Sequence, residues 1–364
     1  MYLFLALLVA IAVEVIKGLS ANGTPPYLQK FAWQMNLAHF MWTNVWGFRL
    51  VLVAAVLVLT WLTSFNLLTG LIALILVGVW GYFHWLFTYK WLGRVKFPPL
   101  KKFVYAGESA NQVPDEVEVL GVVMNGEKRA VPLPMINFHH QISDAVGGKD
   151  MWFTYCGLCR SGRVYDATVD GQALTFELIG AITFNATFKD KQTGSWWRQE
   201  LGTAAMGPLK GKQLGDIEFE QMSVANWFMK HPDAEILQYD PQYMRQYNFS
   251  QKLLSYEGSW PAWARHEAPP LVIGVEVGDA AKGYDFLELQ KARILHDTVG
   301  GTPLVLVTDK TGQSTFAYDC RLDGQQLDFE LTETGLKDTQ TGSTWDKFGR
   351  CSDGALAGKE LTTV

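Results

Sequence analysis

The sequence predicts an α-helical membrane anchor with three spans, followed by a mainly β soluble region built from two repeated modules. Uncharged apolar stretches dominate the beginning of the chain, and short alternating runs separated by Asp-Gly and Gly-Gly follow. Many segments of the soluble part recur later in the same order. We therefore divide the chain into a membrane region at 1–92, a linker at 93–117, a first module at 118–230, an aromatic connecting segment at 231–270 and a second module at 271–364.

Three apolar segments form the predicted spans. The first covers Met1 to Ile16, and the others run from Trp46 to Phe65 and from Leu67 to about Tyr89. Each of the last two approaches the roughly 20 residues that a helix needs to cross a bilayer. A removable signal peptide is the weaker interpretation of the first segment, because no basic stretch precedes it and no clear small-residue cleavage site follows it.

Charged and aromatic side chains mark the expected edges of the membrane. Glu14 and Lys17 are placed near one end of the first span, where a charged head reaches the interface while its stem stays in lipid. The segment between the first two spans contains Trp33, Phe40 and Trp42. Aromatic rings of this kind suit the headgroup layer, so we predict that this loop lies on the membrane.

Charge limits the expected partners and leaves the side of the membrane open. The net charge of −5 over 364 residues includes no long basic block, which argues against a nucleic-acid partner and leaves the lipid bilayer as the expected one. Cationic residues near the spans act as interfacial anchors, and the positive-inside rule applied to them favours a cytoplasmic soluble region. They are Lys17, Lys30, Arg49, Lys90, Arg94, Lys96, Lys101 and Lys102.

The internal repeat aligns residues 118–214 with residues 271–361. The sequence Ile-Ser-Asp-Ala-Val-Gly-Gly at 142–148 matches Leu-His-Asp-Thr-Val-Gly-Gly at 295–301. A later Gln-Thr-Gly-Ser segment also occurs in both copies. Because the matched segments keep their order, chance is a poor explanation and duplication of one module is favoured. The serines of the Gln-Thr-Gly-Ser segments are interpreted as turn residues, since no His or acidic partner recurs with them.

Turn signals within each copy predict β hairpins. Asp170-Gly171 and Asp323-Gly324 each favour a two-residue type I′ turn, because glycine tolerates the positive φ that this turn demands. Short helices are predicted at 134–142 and at about 287–295. The connecting segment at 231–270 is expected to be irregular, and its aromatic side chains are interpreted as core; they are Tyr239, Tyr243, Tyr247, Trp260 and Trp263.

A Cys-x-x-Cys motif occurs in the first copy alone. Cys156 and Cys159 are expected in a tight knuckle after a strand, where two sulfurs at this spacing can face one atom. The spacing suits soft metal ions and also dithiol–disulfide exchange. Arg160 next to the pair is expected to favour the thiolate. The aligned segment of the second copy, 308–312, has no cysteine, so the fold does not require the pair.

His139 is the predicted third ligand. A strand pairing across the Gly147-Gly148 turn would bring this imidazole towards Cys156 and Cys159. Two thiolates and one imidazole with an open fourth position are typical of catalytic zinc or of copper sites. The alternatives are that His139 and the adjacent His140 are hydrogen-bonded residues without a ligand.

The remaining cysteines, Cys320 and Cys351, lie in the second copy. A disulfide between them, two free thiols and a half-site are all open, and structural roles are favoured. Four cysteines are too few for a disulfide-stapled scaffold.

The knuckle Thr-Tyr-Cys-Gly-Leu-Cys at 154–159 and the Gln-Thr-Gly-Ser-Trp-Trp segment at 192–197 resemble a bacterial and archaeal family of unknown function, marked by a Thr-Tyr-Cys-Pro-Leu-Cys signature. The resemblance covers most of residues 118–364. It keeps both cysteines and His139 in register, whereas Gly157 replaces the usual Pro and His140 the usual Glu. It implies no activity. Many members look exported, which favours an extracytoplasmic soluble region.

Two functional hypotheses follow from the sequence. In the first, a membrane-anchored protein binds a transition metal ion, copper or zinc, through Cys156, Cys159 and His139, or performs thiol redox chemistry with the cysteine pair. In the alternative, the chain is a noncatalytic accessory subunit of a larger membrane complex, and the Cys-x-x-Cys knuckle is structural. The reaction and its substrate are left open at this stage.

Overall fold

The computed structural model describes residues 1–22, 31, 33–157, 159–254, 271–312, 314–333 and 335–364. The predicted connecting segment is therefore described only as far as residue 254. Its Trp260 and Trp263 lie outside the described residues, as does Lys30.

Three long helices form the N-terminal region, and each is long and apolar enough to cross a membrane. They are α1 (Tyr2–Asn22), α2 (Trp33–Leu62) and α3 (Leu67–Trp85), and a π-helical turn extends α3 through Leu86–Lys90. The side chain of Asn66 caps α3 by accepting a hydrogen bond from the Thr69 N–H at 2.9 Å. The prediction of three candidate spans is confirmed, although α1 continues to Asn22 rather than ending at Ile16.

The segment before the second predicted span is helical from Trp33, so the prediction of a loop there is wrong. α2 has 30 residues, and at about 1.5 Å per residue it extends about 45 Å, which exceeds the roughly 30 Å of hydrocarbon in a bilayer. Its first turns pack Met35 and Ala38 against Ile179 and Ile182 of the soluble region. Burial on that region lets the helix continue beyond the apolar layer.

Charged side chains meet between the three helices instead of reaching the interface separately. Arg49 donates from Nε and Nη2 to the two carboxylate oxygens of Glu14, each at 2.8 Å, and from Nη2 to Thr88 Oγ1 at 2.7 Å. His84 Nδ1 lies 3.1 Å from the same carboxylate. Lys17 donates to the Phe87 carbonyl at 2.6 Å. Pairing of this kind offsets the cost of removing charges from water, and it is a contact between helices that the sequence-based interpretation of Glu14 and Lys17 did not include.

The soluble region begins next to the membrane helices. Helix α4 (Gly93–Lys96) lies against the backbone of residues 178–179, and a Cβ at Gly93 would lie 2.6 Å from the Leu178 carbonyl oxygen. Arg94 also pairs with Glu177 at 2.9 Å. The close approach fixes the first residues of the soluble region on the strand that contains Leu178.

The first part of the soluble region contains fifteen strands and three further helices among the described residues. They are β1 (Tyr105–Ala106), β2 (Glu118–Met124), β3 (Glu127–Pro132), α5 (Leu133–His139), β4 (Gln141–Val146), β5 (Lys149–Cys156), β6 (Ser161–Asp166), β7 (Thr168–Val169), β8 (Gln172–Ala173), β9 (Phe176–Ile182), β10 (Asn185–Asp190), β11 (Trp196–Arg198), β12 (Thr203–Met206), β13 (Gly215–Asp216), β14 (Glu220–Ser223), α6 (Val224–Lys230), β15 (Glu235–Leu237) and α7 (Met244–Leu254).

The second part contains eleven strands and one helix within the described ranges. They are β16 (Val272–Val277), β17 (Ala280–Asp285), α8 (Phe286–Ala292), β18 (Ile294–Val299), β19 (Thr302–Thr308), β20 (Thr315–Asp319), β21 (Arg321–Leu322), β22 (Gln325–Gln326), β23 (Phe329–Leu331), β24 (Leu336–Asp338), β25 (Thr344–Trp345) and β26 (Cys351–Asp353). The region is mainly β, as predicted, and α5 and α8 confirm the two predicted short helices.

Several small sheets build the soluble region. The first part has a five-stranded sheet in the order β1-β15-β3-β2-β14 and two four-stranded sheets, β13-β6-β5-β4 and β12-β11-β10-β9. The second part has β16-β17, β18-β19-β20 and β23-β24-β25-β26. Strands β1 and β15 come from the predicted linker and connecting segment, and both join the five-stranded sheet.

The two predicted Asp-Gly hairpins are confirmed. Asp170 and Gly171 have φ values of 50° and 78°, and Asp323 and Gly324 have 51° and 83°, as a type I′ turn requires. Each turn joins a two-stranded ribbon, β7–β8 in the first part and β21–β22 in the second.

One hydrophobic cluster joins the two parts of the soluble region. Trp227 of α6 is buried with Val305 of β19, Tyr318 of β20 and Trp345 of β25. Burial of such large rings contributes several kcal/mol in total. The two parts are therefore packed together through a shared core.

The buried ion pair between α1 and α2 generates a stability prediction. Arg49→Met leaves the Glu14 carboxylate buried without its guanidinium, so we expect a loss of about 3 kcal/mol of stability. The double variant Glu14→Met/Arg49→Met removes both charges and should recover most of that loss. Thermal unfolding of the full chain in detergent, followed by circular dichroism, measures both effects. Equal stability of Arg49→Met and the parent would contradict the role assigned to the pair.

Candidate dithiol site

The two cysteines of the motif lie at the hairpin between β5 and β6. Cys156 ends β5 and pairs with Ser161 at the start of β6, and Cys159 lies in the turn between them. Cys159 Sγ donates to the Cys156 carbonyl at 3.8 Å, the two side chains lie close enough for Cys156 to raise the pKa of Cys159, and both cysteines are free thiols. Cys156 is 2% exposed, whereas Cys159 is exposed. The site is thus a dithiol with one buried and one accessible sulfur.

Gly157 allows the turn to approach α5. A Cβ at this position would lie 2.2 Å from Asn137 Oδ1, and the Asn137 amide is held by a 2.6 Å hydrogen bond to Ser250 Oγ. A side chain at Gly157, including the proline of the family signature, would require Asn137 to move. Arg160 completes the turn in the left-handed region, with φ 52°.

A buried amide network supports the accessible sulfur. Asn185 Nδ2 donates to Cys159 Sγ at 3.5 Å and to Gln199 Oε1 at 3.0 Å. Gln199 Nε2 donates in turn to Thr154 Oγ1 and to the Ser161 carbonyl, each at 3.1 Å. The backbone N–H of Ser161 also donates to Cys159. Donors fixed in this way stabilise negative charge on the sulfur when it ionises.

The tip of the β9–β10 hairpin covers the buried sulfur. Cys156 Sγ donates to the Phe184 carbonyl at 3.9 Å, and the Thr183 N–H donates to Gln34 Oε1 of α2 at 3.1 Å. Thr183 and Phe184 have φ values of 54° and 60°, a region that a β-branched residue rarely adopts. Such backbone strain is held in place only by surrounding contacts, here the dithiol on one side and α2 on the other.

The pair titrates as one unit rather than as two separate thiols. The hydrogen bond with Cys156, together with burial, raises the pKa of the Cys159 thiol well above its usual range. The Asn185 amide and the Ser161 N–H act in the opposite direction and lower this pKa. Loss of one proton from the pair therefore makes loss of the second much harder.

His139 is engaged away from the thiols. Its side chain is fully buried; Nδ1 lies 2.5 Å from the Pro98 carbonyl oxygen and Nε2 lies 2.8 Å from the Tyr247 hydroxyl. A carbonyl accepts only, so Nδ1–H donates and Nε2 accepts from Tyr247. Burial lowers the pKa of His139, consistent with a neutral ring. Within the described ranges, no group of three His, Cys, Asp or Glu side chains is arranged to hold a metal ion.

His140 supports the strand that carries Cys156. It caps α5 in the left-handed conformation, with φ 62°, and its Nδ1 lies 3.3 Å from the Tyr155 carbonyl oxygen. Burial lowers the pKa of His140 to about 4, so the ring is neutral near pH 7. Its role matches the hydrogen-bonded alternative stated for it.

Arg160 acts on two side chains beside the knuckle. Its guanidinium lowers the pKa of the Tyr155 hydroxyl and that of the Glu118 carboxyl, and in both groups burial raises the pKa more strongly. The expected effect of Arg160 on the thiols stays a prediction.

The other two cysteines belong to the shared core. Cys320 and Cys351 are buried, reduced and members of the cluster around Trp345. Burial raises the pKa of Cys320 to about 12, which makes this thiol unreactive near neutral pH. The structure supports the structural roles favoured for them.

The family profile described as Protein of unknown function (DUF3179) matches residues 95–364. The chain belongs to this family. The matched range begins just after the three long helices and includes both cysteines and the amide network of Asn185 and Gln199, but not Gln34 of α2. No functionally curated protein and no solved structure matches the chain. The DUF3179 assignment confirms the predicted family resemblance and supplies no activity.

The amide network around the dithiol was not predicted from the sequence. Asn185 lies 26 positions after Cys159 and follows Thr183-Phe184, a tip without glycine or proline. Thr183 and Phe184 adopt positive φ, although neither is a residue type that usually indicates such a turn. The sequence offers one local signal of the extended hairpin: the stretch that contains Thr183 and Phe184 is longer than its counterpart after Leu331 in the second copy.

The coupled thiols generate a pH prediction. Because the hydrogen bond with Cys156 raises the pKa of Cys159, alkylation of Cys159 should be slow near neutral pH and increase as the pH rises towards that raised pKa. In Cys156→Ala the raising contact is lost, and each unit of decrease in pKa increases the thiolate fraction near neutral pH about tenfold. Iodoacetamide labelling followed by peptide mass spectrometry measures the rate at Cys159.

Cys320→Ala is the matched control, since it removes a thiol outside the pair and should leave the labelling rate of Cys159 unchanged. Equal rates near neutral pH in the parent and in Cys156→Ala would contradict the coupling.

Proposed function

We propose that this chain is a membrane-anchored thiol–disulfide redox protein whose active pair is Cys156 and Cys159. The observation that carries the proposal is the adjacent, electrostatically linked pair of thiols with one accessible and one buried sulfur. A resolving thiol must reach the attacking sulfur and remain shielded from outside reagents, and Cys156 meets both conditions. The Asn185 amide lowers the pKa of Cys159, but Cys156 and burial raise it more, so attack by Cys159 is expected to be slow near neutral pH and to accelerate as the pH rises.

The difference in burial between Cys159 and Cys156 assigns the order of the steps in disulfide exchange. The Cys159 thiolate attacks one sulfur of a substrate disulfide, forms a mixed disulfide and releases the other substrate sulfur as a thiolate that takes up a proton. Cys156 then loses its proton and attacks Cys159 Sγ, which forms the Cys156–Cys159 disulfide and releases the second substrate thiol. Two electrons pass from the dithiol to the substrate disulfide. The reverse sequence would oxidise a substrate dithiol.

We further propose that the two parts of the soluble region are copies of one module. The matched sequence segments support this, as does the shared order of strands from β2 to β12 and from β16 to β26. Asp190 accepts from Trp197 Nε1 and Asp338 accepts from Trp345 Nε1, each at 2.9 Å. Because the second copy folds without cysteines at the knuckle, the pair is assigned to function rather than to stability.

Binding of copper or zinc is the second proposal. Two sulfurs that contact each other suit a soft metal ion that needs few ligands, with Cys156 and Cys159 as the pair. The predicted third ligand, His139, would have to exchange its contacts with Pro98 and Tyr247 in order to participate. The redox proposal requires no such rearrangement, so we place it first.

A mixed-disulfide experiment tests the redox proposal. Cys156→Ser should trap substrate or a glutathione adduct on Cys159, because the resolving thiol is missing, whereas Cys159→Ser should trap little. Both variants should unfold at about the parental temperature, since the fold does not depend on the sulfurs. Incubation with oxidised glutathione and mass spectrometry of the intact chain report the adducts, and Cys320→Ser is the matched control.

The same variants separate the alternatives. Stoichiometric copper or zinc in the purified parent that is lost in Cys156→Ser would favour the metal proposal. If the parent forms neither an internal disulfide nor an adduct and holds no metal, both proposals fail, and the noncatalytic accessory subunit with a structural knuckle replaces them. Failure of Cys156→Ser to fold would also favour the structural knuckle.

A further inference from the structure

A cavity of about 580 Å³ lies between α6 and the second part of the soluble region. Asn226 of α6 forms one wall, and others are contributed by Thr308, Asp309, Leu331, Thr332, Glu333 and Gly335. Its size falls within the range of small-molecule sites. The dithiol chemistry proposed above makes no use of it.

The cavity occupies the position in the second part that corresponds to the dithiol in the first. In the first part, Met151 pairs with Asp166, and Cys156 lies five residues after Met151. In the second part, Leu304 pairs with Asp319, and Asp309 lies five residues after Leu304. The Asp309 N–H donates to the Ser314 carbonyl at 2.9 Å. A carboxylate therefore stands where the first part has its buried sulfur.

The covering hairpin differs as well. In the first part β9 and β10 are long, and the hairpin tip reaches over Cys156. In the second part β23 and β24 have three residues each, and the loop between them lines the cavity. The shorter hairpin leaves space beside Asp309.

Two carboxylates of the lining, Asp309 and Asp346, accept hydrogen bonds from neutral groups of the protein. Asp309 accepts from Asn226 Nδ2 and from Thr311 Oγ1, each at 2.8 Å. Asp346 accepts from the backbone N–H of Phe348 at 2.8 Å and of Arg350 at 3.0 Å. These carboxylates are held by donors of the protein and have little remaining capacity for a ligand.

Two cations, Arg293 and Lys347, also line the cavity. Arg293 Nε is buried without a hydrogen-bond partner among the described residues. Lys347 Nζ donates to Asn226 Oδ1, a neutral acceptor; burial lowers the pKa of Lys347, and the nearby Asp309 and Asp346 raise it by less. An incoming anion would satisfy the guanidinium and stabilise the charged ammonium.

The rim has the opposite charge. Asp115, Glu116 and Glu333 line the cavity and are exposed, and no ion pair to them is formed by any part of the chain that the structure describes. Together the lining has five carboxylates and three cations, which disfavours a ligand that is only anionic. The same lining also contains the apolar side chains of Met229 and Phe348.

We propose that this cavity binds a small zwitterion. Its anionic group, a carboxylate or a phosphate, lies at Arg293 and Lys347, and its ammonium group lies at the rim carboxylates Asp115, Glu116 and Glu333. The ligand is the size of a dipeptide or of an aminoalkyl phosphate such as a phospholipid headgroup. The site is separate from the dithiol and acts independently of the redox proposal.

Calorimetric titration of the full chain in detergent tests the proposal. The probes are alanyl-alanine and O-phosphoethanolamine, which separate a peptide source from a headgroup source, with succinate and putrescine as purely anionic and purely cationic controls. At least one zwitterion should bind, and at least about tenfold more tightly than either control.

Matched variants locate the two ends of the ligand. Arg293→Asn keeps a residue that tolerates the left-handed backbone at this position and should weaken binding at least about tenfold, as should Glu116→Gln combined with Asp115→Asn. Arg245→Gln, on the exposed face of α7, is the control and should bind as the parent does. If Arg293→Asn fails to unfold cooperatively, Lys347→Gln replaces it.

Three outcomes would overturn the proposal: none of the probes binds; succinate or putrescine binds as tightly as the zwitterions; or binding persists in both the Arg293 and the rim variants. Retained binding of the zwitterion by Cys156→Ser is expected, since the two sites are separate, and it keeps this test distinct from that of the redox pair.

Discussion

The contact between the β9–β10 hairpin and helix α2 joins the membrane anchor to the dithiol. Gln34 is buried, and its amide accepts from the Thr183 N–H and donates to the Ser20 carbonyl of α1. The adjacent Phe184 carbonyl accepts from Cys156. A buried amide whose hydrogen bonds are lost costs about 1–3 kcal/mol. The hairpin tip therefore keeps its strained backbone only while the two membrane helices remain beside it.

Local patterns account for what the sequence predicts well. The apolar lengths identify the three helices, the Asp-Gly pairs identify two turns, and the Cys-x-x-Cys spacing identifies the two contacting sulfurs. Each of these signals lies within one element or one turn. The same is true of α5 and α8, which precede the Gly-Gly turns where they were expected.

The features that the sequence does not predict depend on residues far apart in the chain. Glu14 and Arg49 are separated by 35 positions, and His139 and Tyr247 by 108. A charge near the end of a span and a histidine near two cysteines have several physically reasonable partners. Only packing selects among them, which is why the charges pair inside the helix bundle and why His139 turns to an aromatic cluster.

The close approach at Gly93 has a consequence for how substrates reach the dithiol. Because that backbone contacts Leu178 with no room for a side chain, the soluble region has no swinging arm between it and the last membrane helix. In the redox protein proposed above, with its helices across a bilayer, the accessible sulfur would be held at one height above the lipid and would diffuse only laterally. Encounters would then be confined to a thin layer parallel to the bilayer, where proteins that share the membrane would meet the site far more often than freely diffusing ones at the same total amount.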